Sequence, residues 1–325
     1  KVAGEYDEIR ERHAKGDRRS TKQTIAAARA NKFKVNWLEY KPPRPAYVGV
    51  RVFDNYDLSV LERYIDWDPL FQAWELAGKF PAILNDKVVG PAARDLFRDA
   101  RAMLVRIVEE RWLRARAVIG LWPANGVGEE DIVVFSDETR KMELATLHTL
   151  RQQMTRDRRR ANYALADFVA PKESGVADYI GAFVVTAGHG CEEAASRFED
   201  AADDYNAILV KSLSDRLAEA FAEHMHELVR KDFWGYMVAE SLDNEALIRE
   251  QYRGIRPAPG YPACPDHTEK PILFDLLDAE KNIGVELTES MAMYPASSVS
   301  GFYFSHPESK YFGLGKVYED QIDDY

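Results

Sequence analysis

Apolar residues recur every three or four positions over residues 91–113 and 192–233, so both segments are predicted as helices. Further helices are predicted over residues 58–64, 68–77 and 271–281. In the second of these, Asp68 is the expected N-cap, Pro69 the first helical residue and Gly78 the stop. The apolar stripe of the longest helix comprises Phe198, Ala202, Tyr205, Leu209, Leu213, Leu217, Ala220 and Leu228.

Short apolar runs predict strands, and turn signals at residues 123–126 and 137–138 separate some of them. Such short connections favour antiparallel pairing, because parallel strands need long crossovers. Long helices beside clustered strands, without strand–helix alternation, predict an α+β fold. The predicted extended segments are residues 117–121, 132–135, 144–147, 165–169, 179–186, 301–305 and 312–317.

The composition excludes several classes of protein. The 325 residues carry a net charge of −11, which argues against a general nucleic-acid binder, since such a protein needs a basic face. No apolar stretch is long enough to cross a membrane, and no signal peptide is recognisable. Only two cysteines occur, which suits a reducing compartment, and we expect a cytoplasmic protein. The first residue is lysine, so we expect a module of a longer chain.

Several motifs in the sequence allow two interpretations, one functional and one structural. Gly188-His189-Gly190 lies between a strand and a helix, but Glu193 occupies the third glycine position of a dinucleotide fingerprint, which favours a plain turn. His224 and His226 suggest a metal site, yet residues two apart on a helix point about 200° apart. One packed and one solvated histidine is the expected arrangement.

Two clusters of charged residues also allow two interpretations. The cluster Arg156–Arg160 lies in a predicted loop and is either solvated or a contact for an acidic partner. Asp215 and Glu219 stand one turn apart on the long helix. They form either a solvated acidic face or a carboxylate pair for a cationic ligand.

The most unusual segment is residues 254–270, with prolines and glycines that exclude a helix or a central strand. A rigid extended loop is expected, either a plain surface loop or a ligand loop. Arg256 offers two parallel donors to a carboxylate or phosphate, and Tyr261 a flat apolar face with a hydroxyl. This pair suits a small ligand with an anionic group and a ring.

Residues 256–270 (RPAPGYPACPDHTEK) resemble the C-terminal activation domain of cobalamin-dependent methionine synthase. The resemblance runs from about residue 40 to the end and rests on many segments. They are YIDW at residues 64–67, WELAGKFP at 74–81, GLWPAN at 120–125, ADFVAPK at 166–172, DYIGAF at 178–183, DRLAEAF at 215–221, LTES at 287–290 and SGFYFSHPESKY at 300–311.

The resemblance implies a single activation domain over residues 41–325, with a bent antiparallel sheet flanked by long helices. Residues 1–40 would be a helical lead-in from an upstream cobalamin domain. The domain would bind S-adenosylmethionine, with no catalytic side chain and no metal of its own. The implied ligand-binding residues are Asp66, Glu219, Arg256, Ala258, Tyr261, Tyr311 and Phe312.

By the same resemblance, the domain reactivates the enzyme. One-electron reduction of cob(II)alamin by flavodoxin or a related flavoprotein would be coupled to methylation by S-adenosylmethionine. Cobalamin and zinc would be bound by other domains, and the partners would be the cobalamin domain and the reductase, with a monomeric chain. An alternative is a docking module that caps the cobalamin domain and receives the electron donor. A stand-alone methyltransferase is less favoured, because no Rossmann-type glycine loop is present.

Overall fold

The computed structural model describes residues 23–155 and 160–325, and an antiparallel sheet lies at its centre. The strand order is β4-β3-β2-β5-β8, and β1 pairs with β2 as well. A separate two-stranded ribbon is formed by β6 and β7. The strands are β1 (Gly49–Tyr56), β2 (Arg114–Val127), β3 (Asp131–Phe135), β4 (Glu143–His148), β5 (Asp178–His189), β6 (Glu286–Leu287), β7 (Met293–Tyr294) and β8 (Ser298–Tyr303).

Strand β5 is buried along almost its whole length, because both faces of the sheet are covered. Its side chains alternate between two cores, as the pleat requires. Phe183 and Val185 face a core built on the long helices, whereas Ile180 and Val184 face a second core with Leu273. A two-sided core of this kind explains why the apolar runs on the central strands are nearly continuous.

Helices lie on both faces of the sheet. The described helices are α1 (Ile25–Ala30), α2 (Leu58–Leu61), α3 (Asp68–Ala73), α4 (Gly90–Glu109), α5 (Cys191–Glu199), α6 (Asp204–Leu228), α7 (Asn244–Ile248), α8 (Glu269–Leu277), α9 (Ala279–Ile283) and α10 (Glu319–Ile322). None of these described helices is long and apolar enough to cross a bilayer. The antiparallel sheet with its helices confirms the α+β prediction.

The long helix predicted over residues 192–233 is two helices, so that prediction is wrong. The chain turns between α5 and α6 at Ala202, whose φ is +54°. Asp203 then caps α6 by accepting the Asn206 N–H at 3.2 Å. The periodicity hides this break, because Ala202 and Tyr205 match the stripe but are exposed. A π-helical turn over Val229–Phe233 follows α6 directly.

Two other apolar segments also differ from their predicted structures. Residues 165–169 contain a 3-10 turn (Leu165–Phe168) rather than a strand, held by Asp167, which accepts the Ala164 N–H at 3.0 Å. A short buried run carries no periodicity that separates the two conformations. Residues 312–317 have no regular structure, and the helix predicted over 271–281 is interrupted by Asp278 at φ +47°.

The turn predicted at residues 123–126 is wrong, because these residues continue β2. Pro123 is accommodated because it lies opposite neither β1, whose pairing ends at Leu121, nor β3, whose pairing begins at Ala124. Asn125 donates two side-chain hydrogen bonds, to the carbonyls of Ala170 and Val176, both at 2.9 Å. Turn-forming residues are thus satisfied inside a strand by distant partners.

The predicted helical lead-in over residues 1–40 is described only from residue 23. There, α1 contacts the remainder of the domain, since the Ile25 N–H donates to the Asp320 carboxylate at 2.7 Å. Arg29 pairs with Glu130 at 2.6 Å. The boundary at residue 41 stays a prediction.

Candidate ligand-binding site

Three of the sequence-predicted site residues line one cavity of about 350 Å³. Asp66 follows α2, Glu219 lies on α6, and Arg256 begins the proline-rich loop. The cavity therefore combines carboxylates with the guanidinium groups of Arg216 and Arg256, groups that bind the cationic and anionic ends of a zwitterion. Its volume lies in the range of small-molecule sites.

Asp66 and Asp68 have separate tasks, although the predicted task of Asp68 is wrong. Helix α3 begins at Asp68 itself, so this carboxylate cannot be its N-cap. Instead Asp68 accepts the Phe80 N–H at 2.7 Å and pairs with Lys79 at 2.8 Å. It thereby fastens residues 79–80 to α3, which ends at Ala73, well before Gly78. Asp66 accepts the Asp68 N–H at 3.0 Å and also lines the cavity.

Successive turns of α6 place Glu219 and Glu223 on the cavity wall. Residues four apart share one face of a helix, so the pair follows from helical geometry. The sequence suggested Asp215 and Glu219 as a pair, but only Glu219 lines the cavity. Asp215 accepts a hydrogen bond from Ser297 Oγ at 2.5 Å, away from the cavity.

Arg256 is fixed by four contacts. Its Nη2 lies 2.8 Å from Glu223 Oε2, and its Nη1 donates to Tyr252 Oη at 2.8 Å and to His226 Nδ1 at 3.2 Å. Its backbone N–H donates to Tyr311 Oη at 3.0 Å. Burial lowers the pKa of the guanidinium, but Glu223, Tyr252 and Tyr311 together outweigh this and the net pKa is raised. Arg256 is therefore a permanently charged group in a defined pose.

A second buried arginine lies behind this group. Arg230, on the π-helical turn, has no exposed side-chain surface and binds Glu240 through Nε at 3.0 Å and Nη2 at 2.7 Å. Its guanidinium also lies 4.2 Å from the centre of the Tyr252 ring. Its Nη1 is 3.8 Å from Glu223 Oε1. Glutamates and arginines thus alternate from Glu240 to Arg256.

The remaining predicted residues surround the loop without lining the cavity. Tyr261 is 63 % exposed, and its N–H donates to the Ala258 carbonyl at 3.2 Å. Gly260 between them has a φ of +96°, and a side chain there would collide with the His267 ring. Phe312 packs on Tyr163, with ring centres 5.8 Å apart. Of this group, Tyr311 has a direct bond to Arg256.

Both histidines of the 224–226 motif are buried, so the prediction that one is solvated is wrong. His224 Nε2 lies 2.7 Å from Tyr56 Oη, whereas His226 stacks on Tyr303 and faces Arg256. The sheet supplies aromatic partners on both sides of α6, which a helical projection of the sequence does not reveal. Within residues 23–155 and 160–325, no group of three His, Cys, Asp or Glu side chains could hold a metal.

The strand-to-helix turn at residues 188–190 is a structural turn. Gly190 has a φ of +89°, and a side chain at this position would meet the Trp112 carbonyl at 2.2 Å. His189 Nε2 lies 2.8 Å from the Ile283 carbonyl. In the arginine cluster, Arg156–Arg159 lie outside the described residues.

The sequence interpretation missed four groups that build the site: Glu223, His226, Tyr252 and Arg230. One signal was available, because Glu219, Glu223, His226 and Arg230 recur at steps of four, three and four along the helix. Tyr252 had no comparable signal, since it lies in an irregular segment. It bonds to Arg256 only four residues further along the chain, but its contacts with Arg230 and His226 are tertiary.

Comparison with known proteins places this geometry in a family. Residues 57–325 match the model of the vitamin B12-dependent methionine synthase activation domain. A crystal structure of the MetH reactivation domain bound to AdoHcy superimposes with a TM-score of 0.91 at 53 % identity. The match covers 94 % of this chain and 93 % of that one. The chain therefore belongs to the activation domains of cobalamin-dependent methionine synthase, a methyltransferase.

Proposed function

We propose that this domain binds S-adenosylmethionine in the cavity of Asp66, Glu219 and Arg256 and presents its methyl group to cobalamin on a neighbouring domain. The observation that carries the proposal is the convergence of these three residues, which are distant in sequence, on one cavity of about 350 Å³. The related domain whose crystal structure contains AdoHcy supports the same ligand class.

The residues fit the ligand by charge. The Arg256 guanidinium matches the carboxylate of the amino-acid end, and Asp66 and Glu219 match its ammonium group. The exposed ring of Tyr261 lies in the same loop and offers an apolar face for the adenosyl part. Ala258 supplies backbone groups, and Tyr311 fixes the start of the loop through the Arg256 N–H. Phe312 supports this segment from its contact with Tyr163.

Orientation is the contribution that the domain has to make. Cobalamin on the neighbouring domain would supply the reduced cobalt nucleophile for the methyl group, with its electron coming from the flavoprotein donor. No general base is needed, since the sulfonium leaves as the neutral thioether of S-adenosylhomocysteine. The protein residues hold the amino-acid end so that the methyl group points out of the cavity.

The test is the affinity of the isolated chain for S-adenosylhomocysteine, measured by calorimetry. Arg256→Ala and Asp66→Asn are each expected to weaken binding about tenfold or more, the usual effect of losing a charge-assisted hydrogen bond. Arg253→Ala and Asp68→Asn are matched controls, because these side chains bond to Ser305 and Phe80 outside the cavity. Unchanged affinity in the first two variants would refute the assignment.

For partners, we propose the cobalamin domain of the same polypeptide and a flavodoxin-type donor, with a monomeric chain. A net charge of −11 would repel an acidic flavoprotein, so a local positive patch is required, and the three consecutive arginines Arg158–Arg160 are the candidate that the sequence offers. Neutralising these three arginines should abolish salt-sensitive binding of the flavoprotein, whereas neutralising Arg94 and Arg98 should not. Binding without salt dependence would contradict this docking patch.

A further inference from the structure

Glu223 is a buried carboxylate held between two arginines. Its Oε2 lies 2.8 Å from Arg256 Nη2 and its Oε1 lies 3.8 Å from Arg230 Nη1. The side chain is 9 % exposed, yet it lines the same cavity as Asp66 and Glu219. It is thus a cavity carboxylate whose charge is already matched within the protein.

The contacts of Arg256 leave one edge of its guanidinium for a ligand. Both Nη1 hydrogens are used, because Nη1 donates to Tyr252 Oη and His226 Nδ1. Burial, with the charges of Arg230 and Arg256, holds the pKa of His226 well below its usual value, so the ring is neutral and Nδ1 accepts. Nη2 forms the ion pair with Glu223 at 2.8 Å, and among the described residues Nε has no hydrogen-bond partner. The Nε edge of the guanidinium therefore remains for a ligand.

We propose that Glu223 is a positioning residue, which holds the Arg256 guanidinium so that its Nε edge meets the carboxylate of the S-adenosyl ligand. The inference rests on the proposed function, because it assigns Arg256 to the amino-acid end. Glu223 does not touch the ligand in this role; it acts through Arg256.

The charges behind Glu223 favour positioning over competition with the ligand. Arg230 Nη1 lies 3.8 Å from Glu223 Oε1, an ion pair without a hydrogen bond, and Arg230 is itself held by Glu240 at 2.7 Å, so Glu223 is part of a chain of alternating charges. Without Glu223, two buried guanidinium groups would face each other without the carboxylate between them. Their repulsion would move Arg256 out of its pose. A misplacement of about 1 Å is enough to weaken a preorganised site strongly.

The test compares two ligands, S-adenosylhomocysteine and its decarboxylated analogue, on Glu223→Ala and Glu223→Asp. The aspartate keeps the charge but withdraws the carboxylate by about 1.5 Å, one carbon–carbon bond. We expect Kd for S-adenosylhomocysteine to rise about tenfold in the alanine variant and about threefold in the aspartate variant. The analogue has no carboxylate for Arg256, so its Kd should stay within about twofold of the wild-type value.

Glu130 provides the matched control, because it is also a largely buried carboxylate between two arginines, Arg29 at 2.6 Å and Arg151 at 2.6 Å. Glu130→Ala should lower the melting temperature and leave both affinities unchanged. Unchanged or tighter binding of S-adenosylhomocysteine to the folded Glu223 variants would overturn the proposal. Equal losses for both ligands would do so too, since they indicate general damage to the cavity.

The aspartate variant decides alone if the alanine variant does not fold. Failure of this inference is distinguishable from failure of the proposed function. If Arg256→Ala leaves S-adenosylhomocysteine binding unchanged, the site assignment is refuted, and the positioning role of Glu223 is refuted with it. If Arg256→Ala strongly weakens S-adenosylhomocysteine binding but the Glu223 variants do not, only the positioning role is refuted.

Discussion

Replacing His224 by phenylalanine should remove part of the acid sensitivity of this domain. His224 lies on α6 with its ring 4.7 Å from the Tyr64 ring and its Nε2 2.7 Å from Tyr56 Oη. Burial lowers the pKa of His224 to about 4; the charge of Glu227 raises it, and that of Arg63 lowers it further. The imidazole is therefore neutral in the folded protein at neutral pH.

The sign and the size of this pH effect on stability follow from the linkage between proton binding and folding. The unfolded chain takes up the His224 proton near pH 6.5, before the folded protein does, so stability is full above that pH and is lost as the pH falls. With a folded pKa near 4, the loss is about 2 kcal/mol by pH 5 and about 3 kcal/mol by pH 4. Phenylalanine fills a similar volume and cannot titrate, so the His224 contribution to the pH dependence of the free energy of unfolding should vanish.

The assay is urea unfolding at a series of pH values from 8 to 4, with the free energy of unfolding of each protein plotted against pH. The difference between wild type and His224→Phe should narrow by about 2 kcal/mol between pH 8 and pH 5. Phe221→Leu is a control on the same helix, since it removes packing against Tyr56 but no titrating group. A pH-independent difference for His224→Phe would refute the reasoning.

Two further outcomes are expected. Gly190→Ala should lower the free energy of unfolding by about 3 kcal/mol, because φ is +89° and the new methyl group meets the Trp112 carbonyl. Gly128→Ala is the control, because φ is +63° there but the space is open, and it should lower this free energy by about 1 kcal/mol. Equal losses in urea unfolding would contradict the steric argument. Burial raises the pKa of Asp178 to about 7, so the contribution of this carboxyl group to stability should fall as the pH rises from about 4 to 7, opposite in sign to that of His224, and Asp178→Asn should lack this part of the slope in the same titration.

Local patterns predicted the elements whose environment is regular. Helix α4 was expected over residues 91–113 and runs from Gly90 to Glu109, because its apolar positions face a single core. The predicted break in regular structure at residues 254–270 holds as far as Thr268, since proline and glycine restrict the backbone whatever surrounds them. Where two cores meet one strand, as on β2, turn-forming residues gave the wrong prediction.

For the site, the sequence supplied Asp66 through resemblance, whereas Glu219 was also a candidate from its helical spacing and Arg256 from the chemistry of its loop. Chemistry in the sequence said that Arg256 can bind a carboxylate; it did not say which partners hold the guanidinium. Those partners are Glu223, Tyr252 and His226, which come from a helix and a loop separated in the chain.

The sequence by itself determined the fold class and the family, because periodicity, backbone restrictions and an extended set of motifs are local properties of the chain. Only the tertiary structure decided which carboxylate faces Arg256, that both histidines are buried, and that Asp68 fastens Phe80 instead of capping a helix. The physical reason is that charge pairing and desolvation depend on distances between segments, and the packing of α6 against the sheet and the loop sets those distances.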